Sequence, residues 1–198
     1  RQASRRLRET LAAHCAANDT ALLSAQVIMP AAFFRANPLS NLKETTTLLT
    51  QAVWAEILHT ALPSDFQSLF PASGIERNRT WAERTAETLQ QLRNALADGG
   101  YTIQDVMVKH ADTLDEPDRW QDLAEAEKRY LARVEALGYK DATLRKITQA
   151  SEPYLPEEIQ RLVVASVPDP SLLMIRALEA LQDTHTIDVE TISSTDTD

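Results

Sequence analysis

The sequence predicts a helix-dominated α/β protein in which a small parallel sheet carries an inserted all-helical block. Two observations lead there. Three short apolar runs holding Val and Ile read as strands, the last two separated by one amphipathic stretch. The long interval between the first run and the second carries apolar residues on a helical period and no convincing strand. Strand, helix, strand is a βαβ unit, and such units build parallel sheets. The 198 residues suffice for one large domain or two small ones.

In chain order, Leu7, Leu11 and Cys15 recur with Ala3, Ala12 and Ala16 at helical spacing, predicting a helix over Ala3 to Ala17. Arg1, Arg5, Arg6 and Arg8 crowd its start, where positive charge opposes the macrodipole and only Ser4 could serve as a late cap. The helix therefore reads as one whose beginning lies upstream. The chain opens on Arg1 rather than Met, as a processed product or an excised piece would.

Ala25 to Met29, stopped by Pro30, is the first predicted strand. A helix is predicted from Ser40 to about Thr60, with Leu42, Leu48, Leu49, Val53, Trp54, Ile57 and Leu58. Phe66, Leu69 and Phe70, bracketed by Pro63 and Pro71, predict one helical turn plugging a core. Arg77 to Asp98 repeats Trp81, Ala82, Ala86, Leu89, Leu92 and Leu96, then meets the stop signal Gly99-Gly100. Thr102 to Ala111 is a short helix. Asp115 to Leu137 opens with acids and Pro117 and closes at Gly138. The second strand is Arg161 to Val167, ended by Pro168-Asp169-Pro170. A helix over Ser171 to Gln182 follows, with Ser171 as N-cap and Asp169 helping. Thr186 to Ile192 alternates apolar and polar as an edge strand does. Residues 193–198 are polar and acidic, which predicts a disordered tail. The resulting division is an α/β part from 1–38 and 151–192, with 39–150 inserted as the helical block.

Composition narrows the functions. Twenty Lys and Arg against 29 Asp and Glu leave a net charge of −9, which disfavours general affinity for nucleic acid or anionic membrane. Four glycines, Gly74, Gly99, Gly100 and Gly138, cannot furnish a GxGxxG or GxxxxGK[ST] loop, so no P-loop lies in this chain. The single Cys15 excludes an internal disulfide and a cysteine zinc site, and a reducing, cytoplasmic compartment is expected. No apolar run approaches the roughly 20 residues of a membrane span, and no signal peptide is visible.

The candidate chemistries each weaken on inspection. Pro168-Asp169 resembles the start of a PD-(D/E)XK nuclease site, but Lys146 is the last lysine, so no acid-x-Lys can follow. His14, His59, His110 and His185 form no HExxH spacing, and His14 and Cys15 point about 100° apart on a helix. Ser166 lacks the glycines of a nucleophile elbow. Trp54, Trp81 and Trp120 fall on apolar stripes and read as core. Asp112, Asp115, Glu116 and Asp118 lie where acids complement a helix start, without EF-hand spacing. No catalytic residue, metal site, cofactor or small-molecule ligand is expected. The one basic patch, Arg1, Arg5, Arg6 and Arg8, is the candidate nucleic-acid contact, set against a plain solvated helix face.

Several pieces in order carry a resemblance: Val27-Ile28-Met29-Pro30, Ala52-Val53-Trp54-Ala55-Glu56-Ile57-Leu58, Leu69-Phe70-Pro71 and Trp81-Ala82-Glu83 with Leu89 to Gly100. Then come Arg119-Trp120-Gln121-Asp122-Leu123, Tyr130-Leu131, Leu137-Gly138-Tyr139-Lys140-Asp141, Leu162 to Pro170, and Leu178-Glu179-Ala180-Leu181. Together these resemble the N-terminal region of the inactivated superfamily I helicases, the group similar to the B subunit of AddAB-type helicase-nucleases of double-strand-break repair. The resemblance implies a P-loop-helicase-like 1A domain, here incomplete, carrying a helical 1B insertion. An active relative would have a Walker A loop before the first helix and an Asp-Glu pair ending the later strand. Here that strand runs into Ala165-Ser166-Val167-Pro168, as the inactivated class would. The implied role is a non-catalytic, DNA-positioning part of an end-processing protein, with DNA and a helicase-nuclease subunit as partners through the parent protein and no membrane. The alternative is a helical protein-protein interaction module unrelated to DNA.

Overall fold

Most helix starts in this protein are set by a Thr, Asn, Asp or Ser side chain that accepts an unpaired backbone N–H of the first turn. The computed structural model describes residues 2–20, 27, 34, 43–62, 64–71, 76–155, 159, 161–165 and 169–190. The chain divides into two compact units, residues 1–35 and 36–198.

In the first unit, α1 spans Gln2–Ala17. Its end is closed by the Asn18 side-chain amide, which donates to the His14 carbonyl at 2.8 Å, and by Thr20 N–H on the Cys15 carbonyl at 2.8 Å, with Asp19 in left-handed backbone. The predicted strand Ala25 to Met29 lies outside the described residues except for Val27.

The second unit holds six further α-helices and one strand pair among its described residues. Helix α2 covers Thr47–Thr60, capped by the Thr46 hydroxyl, which accepts from Leu49 N–H. It begins well after the expected Ser40. Residues 43–45 are instead drawn into a bridge: Lys140 N–H donates to the Lys43 carbonyl at 2.8 Å and Thr45 N–H to the Lys140 carbonyl at 3.0 Å. Helix α3, Arg79–Asp98, starts at the Asn78 cap. Arg77 stays outside it because its guanidinium donates to the carbonyls of Leu62, Asp65 and Phe70, closing the Phe66 plug as a loop. That plug holds the expected helical turn, Phe70 N–H on the Phe66 carbonyl, with Phe66 buried.

Both long helices stop at glycine as expected. Gly100 and Gly138 share φ +77°, and the following N–H reaches back five residues, from Tyr101 to Leu96 and from Tyr139 to Val134. Helix α4, Ile103–Lys109, opens with a Thr102/Asp105 capping box. A 3₁₀ turn at Ala111–Thr113 leads to α5, Pro117–Ala136. A separate helix, α6 (Ala142–Ser151), begins at the Asp141 cap, where the sequence reading had only an undivided helical region. Then β1 (Arg161–Ala165), α7 (Leu172–Leu181) and β2 (Thr186–Glu190) make the βαβ unit. The strands pair in parallel, Arg161 opposite Thr186 through Ala165 opposite Glu190. Ser171 caps α7 through its hydroxyl, and Asp169 sits two residues earlier in left-handed backbone. The β2 residues beyond Glu190, Ser166 to Pro168 and the acidic tail lie outside the described residues.

The core sits where α2 crosses α3 and α5. Trp54 and Tyr130 stack at 4.5 Å between ring centroids, their planes nearly parallel, among Leu58, Phe66, Leu89, Ile103 and Val134. Ala82 and Ala86 are fully buried, which admits α2 close against α3. Trp81 and Trp120 pack at its margin, so all three tryptophans are core residues as their spacing predicts. Leu173, Met174, Ala177 and Leu181 bury the inner face of α7, which packs on α6 and α3.

Candidate functional site

The most concentrated chemistry in the fold is a buried ion cluster made by residues from three helices and one cap. Arg93 on α3 and Glu127 on α5 are each 3% exposed, and Asp141, the cap of α6, is 6% exposed. Burial on this scale requires every charge to be paired. Arg93 Nε donates to Glu127 Oε1 at 2.7 Å, while Nη1 and Nη2 grip Asp141 Oδ2 and Oδ1 at 3.2 and 2.9 Å, a two-pronged contact suited to guanidinium and carboxylate. The Tyr130 hydroxyl donates to Asp141 Oδ2 at 2.7 Å, and Leu144 N–H donates to Oδ1 at 2.7 Å. Arg93 also lies over the Tyr130 ring at 4.7 Å and donates to Gln90 Oε1, which receives Trp54 Nε1–H as well.

The electrostatics follow from that wiring. Burial alone would raise the Asp141 pKa, but hydrogen bonds and charge from Arg93, with Leu144 N–H and Tyr130, outweigh it and hold the carboxyl below its ordinary value. Burial, reinforced by the Asp141 carboxylate, pushes the Tyr130 phenol up to about 12. Asp141 is thus held ionised and Tyr130 protonated at neutral pH. A group that must give or take protons is poised near the working pH, and this cluster is the reverse: it ties α2, α3, α5 and α6 together.

A cleft of about 480 Å³ runs along the outer face of α6, bounded by Lys140, Leu144, Arg145, Thr148, Glu152 and Tyr154, with Asp141 and Gln149 beneath. Its size suits a small molecule. Its Arg145 is paired with Glu44 at 2.8 Å and its Asp141 belongs to the buried cluster, and among the described residues its lining includes no Ser, Cys or His.

Of the sequence-predicted contact residues, Arg1 lies outside the described residues. Arg5, Arg6 and Arg8 are exposed on α1, and Arg5 spends its Nε on Glu9 at 2.8 Å. The histidines are dispersed: His14 contacts Asn18, His110 sets its edge to Tyr101, and His185 contacts Thr184. Among the described residues no cluster of three His, Cys, Asp or Glu side chains could hold a metal. Asp112 falls in the 3₁₀ turn, Glu116 pairs with Arg119 and Asp118 lies in the first turn of α5, where acids suit the dipole.

Sequence reasoning passed over the Arg93 cluster, although one signal was present. Arg93 and Glu127 occupy core positions of amphipathic helices, between Leu89 and Leu96 and between Leu123 and Tyr130, and a charge on an apolar stripe demands a partner. No protein family, curated protein or solved structure matches this chain.

Proposed function

We propose that this chain is a non-catalytic, structural and DNA-positioning part of a cytoplasmic protein that processes DNA double-strand-break ends, acting with a helicase-nuclease subunit. One observation carries the reading: a helical block followed by a parallel βαβ unit, within one compact unit. The resemblance to inactivated superfamily I helicases implies a strand, then a helical block, then a βαβ unit, and the last two stand in that order; the first strand lies outside the described residues except for Val27. The ion cluster supports it, because the most deeply buried charges serve architecture rather than proton transfer.

The test has two arms. Mg-ATP is expected to leave the melting temperature unchanged and to be hydrolysed no faster than in buffer; saturable Mg-ATP binding overturns the non-catalytic part. Duplex DNA with single-strand tails is expected to bind at low salt, to weaken steeply as salt rises, and to weaken in Arg5→Gln and Arg6→Gln. Absence of binding overturns the DNA part for this chain.

A second reading, a helical protein-protein interaction module, is favoured by Leu172 and Ile175, which stand exposed on the outer face of α7. Replacing both by Ser would then abolish partner capture and leave DNA binding untouched.

A further inference from the structure

The cations of the second unit are largely committed. Arg93, Arg119, Arg129, Arg133, Arg145 and Lys146 each sit on a carboxylate within 3.0 Å. Arg176 is different: among the described residues it pairs with no carboxylate, although it is exposed on α7. Its guanidinium is held in place instead, Nη1 donating to the Gly100 carbonyl at 3.2 Å and Cζ lying 5.6 Å from the centre of the Tyr101 ring. Lys109 Nζ lies 5.1 Å from the same ring centre and the His110 ring 6.0 Å from it. Three basic side chains from α7 and the end of α4 are therefore gathered around one tyrosine.

The acid beside them does not hold Lys109 tightly, because the pair of Lys109 with Asp105 Oδ1 is long and solvent-exposed. Asp105 approaches Lys109 only at 3.5 Å, and its carboxylate accepts Thr102 N–H and the Thr102 hydroxyl at 2.9 and 2.8 Å as the capping box of α4. Nor are the cations needed as helix caps. Leu96, Ala97 and Val106, whose carbonyls lie in the last turns of α3 and α4, already take N–H donors from Tyr101, Gly100 and His110. An exposed arginine oriented through one edge leaves its Nε and Nη2 edge to a planar or tetrahedral anion.

We infer that Arg176 and Lys109, with His110 beside them around Tyr101, form a phosphate-binding site that contacts the backbone of DNA. This rests on the DNA-positioning reading above and adds a contact in the second unit to the one expected on α1. The experiment measures binding of a tailed duplex across a salt series with wild-type chain, the Lys109→Gln/Arg176→Gln double variant, and Arg84→Gln, an exposed arginine of α3 remote in sequence from the cluster. The double variant is expected to bind about tenfold more weakly at low salt and to lower the salt slope of log Kobs by about one to two, as loss of two phosphate contacts requires. Arg84→Gln should stay near wild type, and Lys109→Arg, which keeps its own charge and leaves the oriented Arg176 guanidinium in place, should bind like wild type.

If wild type binds and the double variant binds equally, the site is overturned while the DNA reading stands; if wild type does not bind, both fall. Displacement of DNA by inorganic phosphate beyond that caused by chloride at matched ionic strength would reassign the site to free phosphate. Should the double variant lose its far-UV circular dichroism, Lys109→Gln/His110→Gln, confined to exposed residues of the α4 end, takes its place with the same criteria.

Discussion

Replacing Arg93 by Met strands two carboxylates in the core, each desolvated and without its counter-charge. The expected cost is about 3–5 kcal/mol in urea unfolding followed by tryptophan fluorescence, with Trp54 reporting directly because it shares Gln90 with Arg93. Loss below about 1 kcal/mol would mean that the cluster contributes little to stability. Asp141 adds a pH dependence of known sign. Its pKa is held down in the fold, so its contribution is complete above its unfolded value of about 4 and disappears as pH falls through the lower folded value. Urea midpoints are therefore expected to drop on acidification below about pH 4, and Asp141→Asn, already weaker at neutral pH, should show a flatter decline over that range. None of this partnership was legible in sequence beyond the oddity of charges on apolar stripes. Arg93 and Asp141 are 48 residues apart, and nothing local announces which carboxylate a guanidinium will meet.

Among the elements, the two glycine stops give a matched comparison. Gly100 and Gly138 have the same φ of +77°, so a Cβ at either meets the same left-handed strain, about 1 kcal/mol. At Gly138 nothing lies within 4 Å of that Cβ, whereas at Gly100 it would come within 2.2 Å of Arg176 Nη1. That atom is the far end of an exposed, flexible side chain that can swing into solvent. Gly100→Ala and Gly138→Ala are therefore expected to cost nearly the same by chemical denaturation. A larger loss at Gly100 that vanishes in an Arg176→Ala background would show that the guanidinium's seat on Gly100 is stabilising. A difference that persists there would place the extra strain in the backbone. Capping is separately testable: Thr102→Ala removes the hydroxyl that accepts Asp105 N–H, leaves the backbone N–H of residue 102 on the Asp105 carboxylate, and should cost about 1 kcal/mol. The stops at Gly99-Gly100 and Gly138 were readable because glycine supplies what the turn requires at that residue. The start of α2 was not, because Lys140 competes for the backbone at residues 43–45 from the far side of the helical block.

For the whole molecule, all three tryptophans and, among the described residues, every residue of the buried core lie between residues 36 and 198. A chain restricted to that unit is expected to unfold in one urea transition, reported alike by tryptophan fluorescence and far-UV circular dichroism; separated transitions would show that the helical block and the βαβ unit are independent. Among the described residues, no helix is long and apolar enough to cross a membrane. By itself the sequence determined the helical block, its stops and the parallel βαβ unit, because periodicity, glycine and capping residues act within a few positions of one another. Only the tertiary structure decided what the charges do. It spent Arg93, Glu127 and Asp141 inside the core and gathered Arg176 with Lys109 around Tyr101, since burial and long-range contact choose which charges are neutralised and which face water.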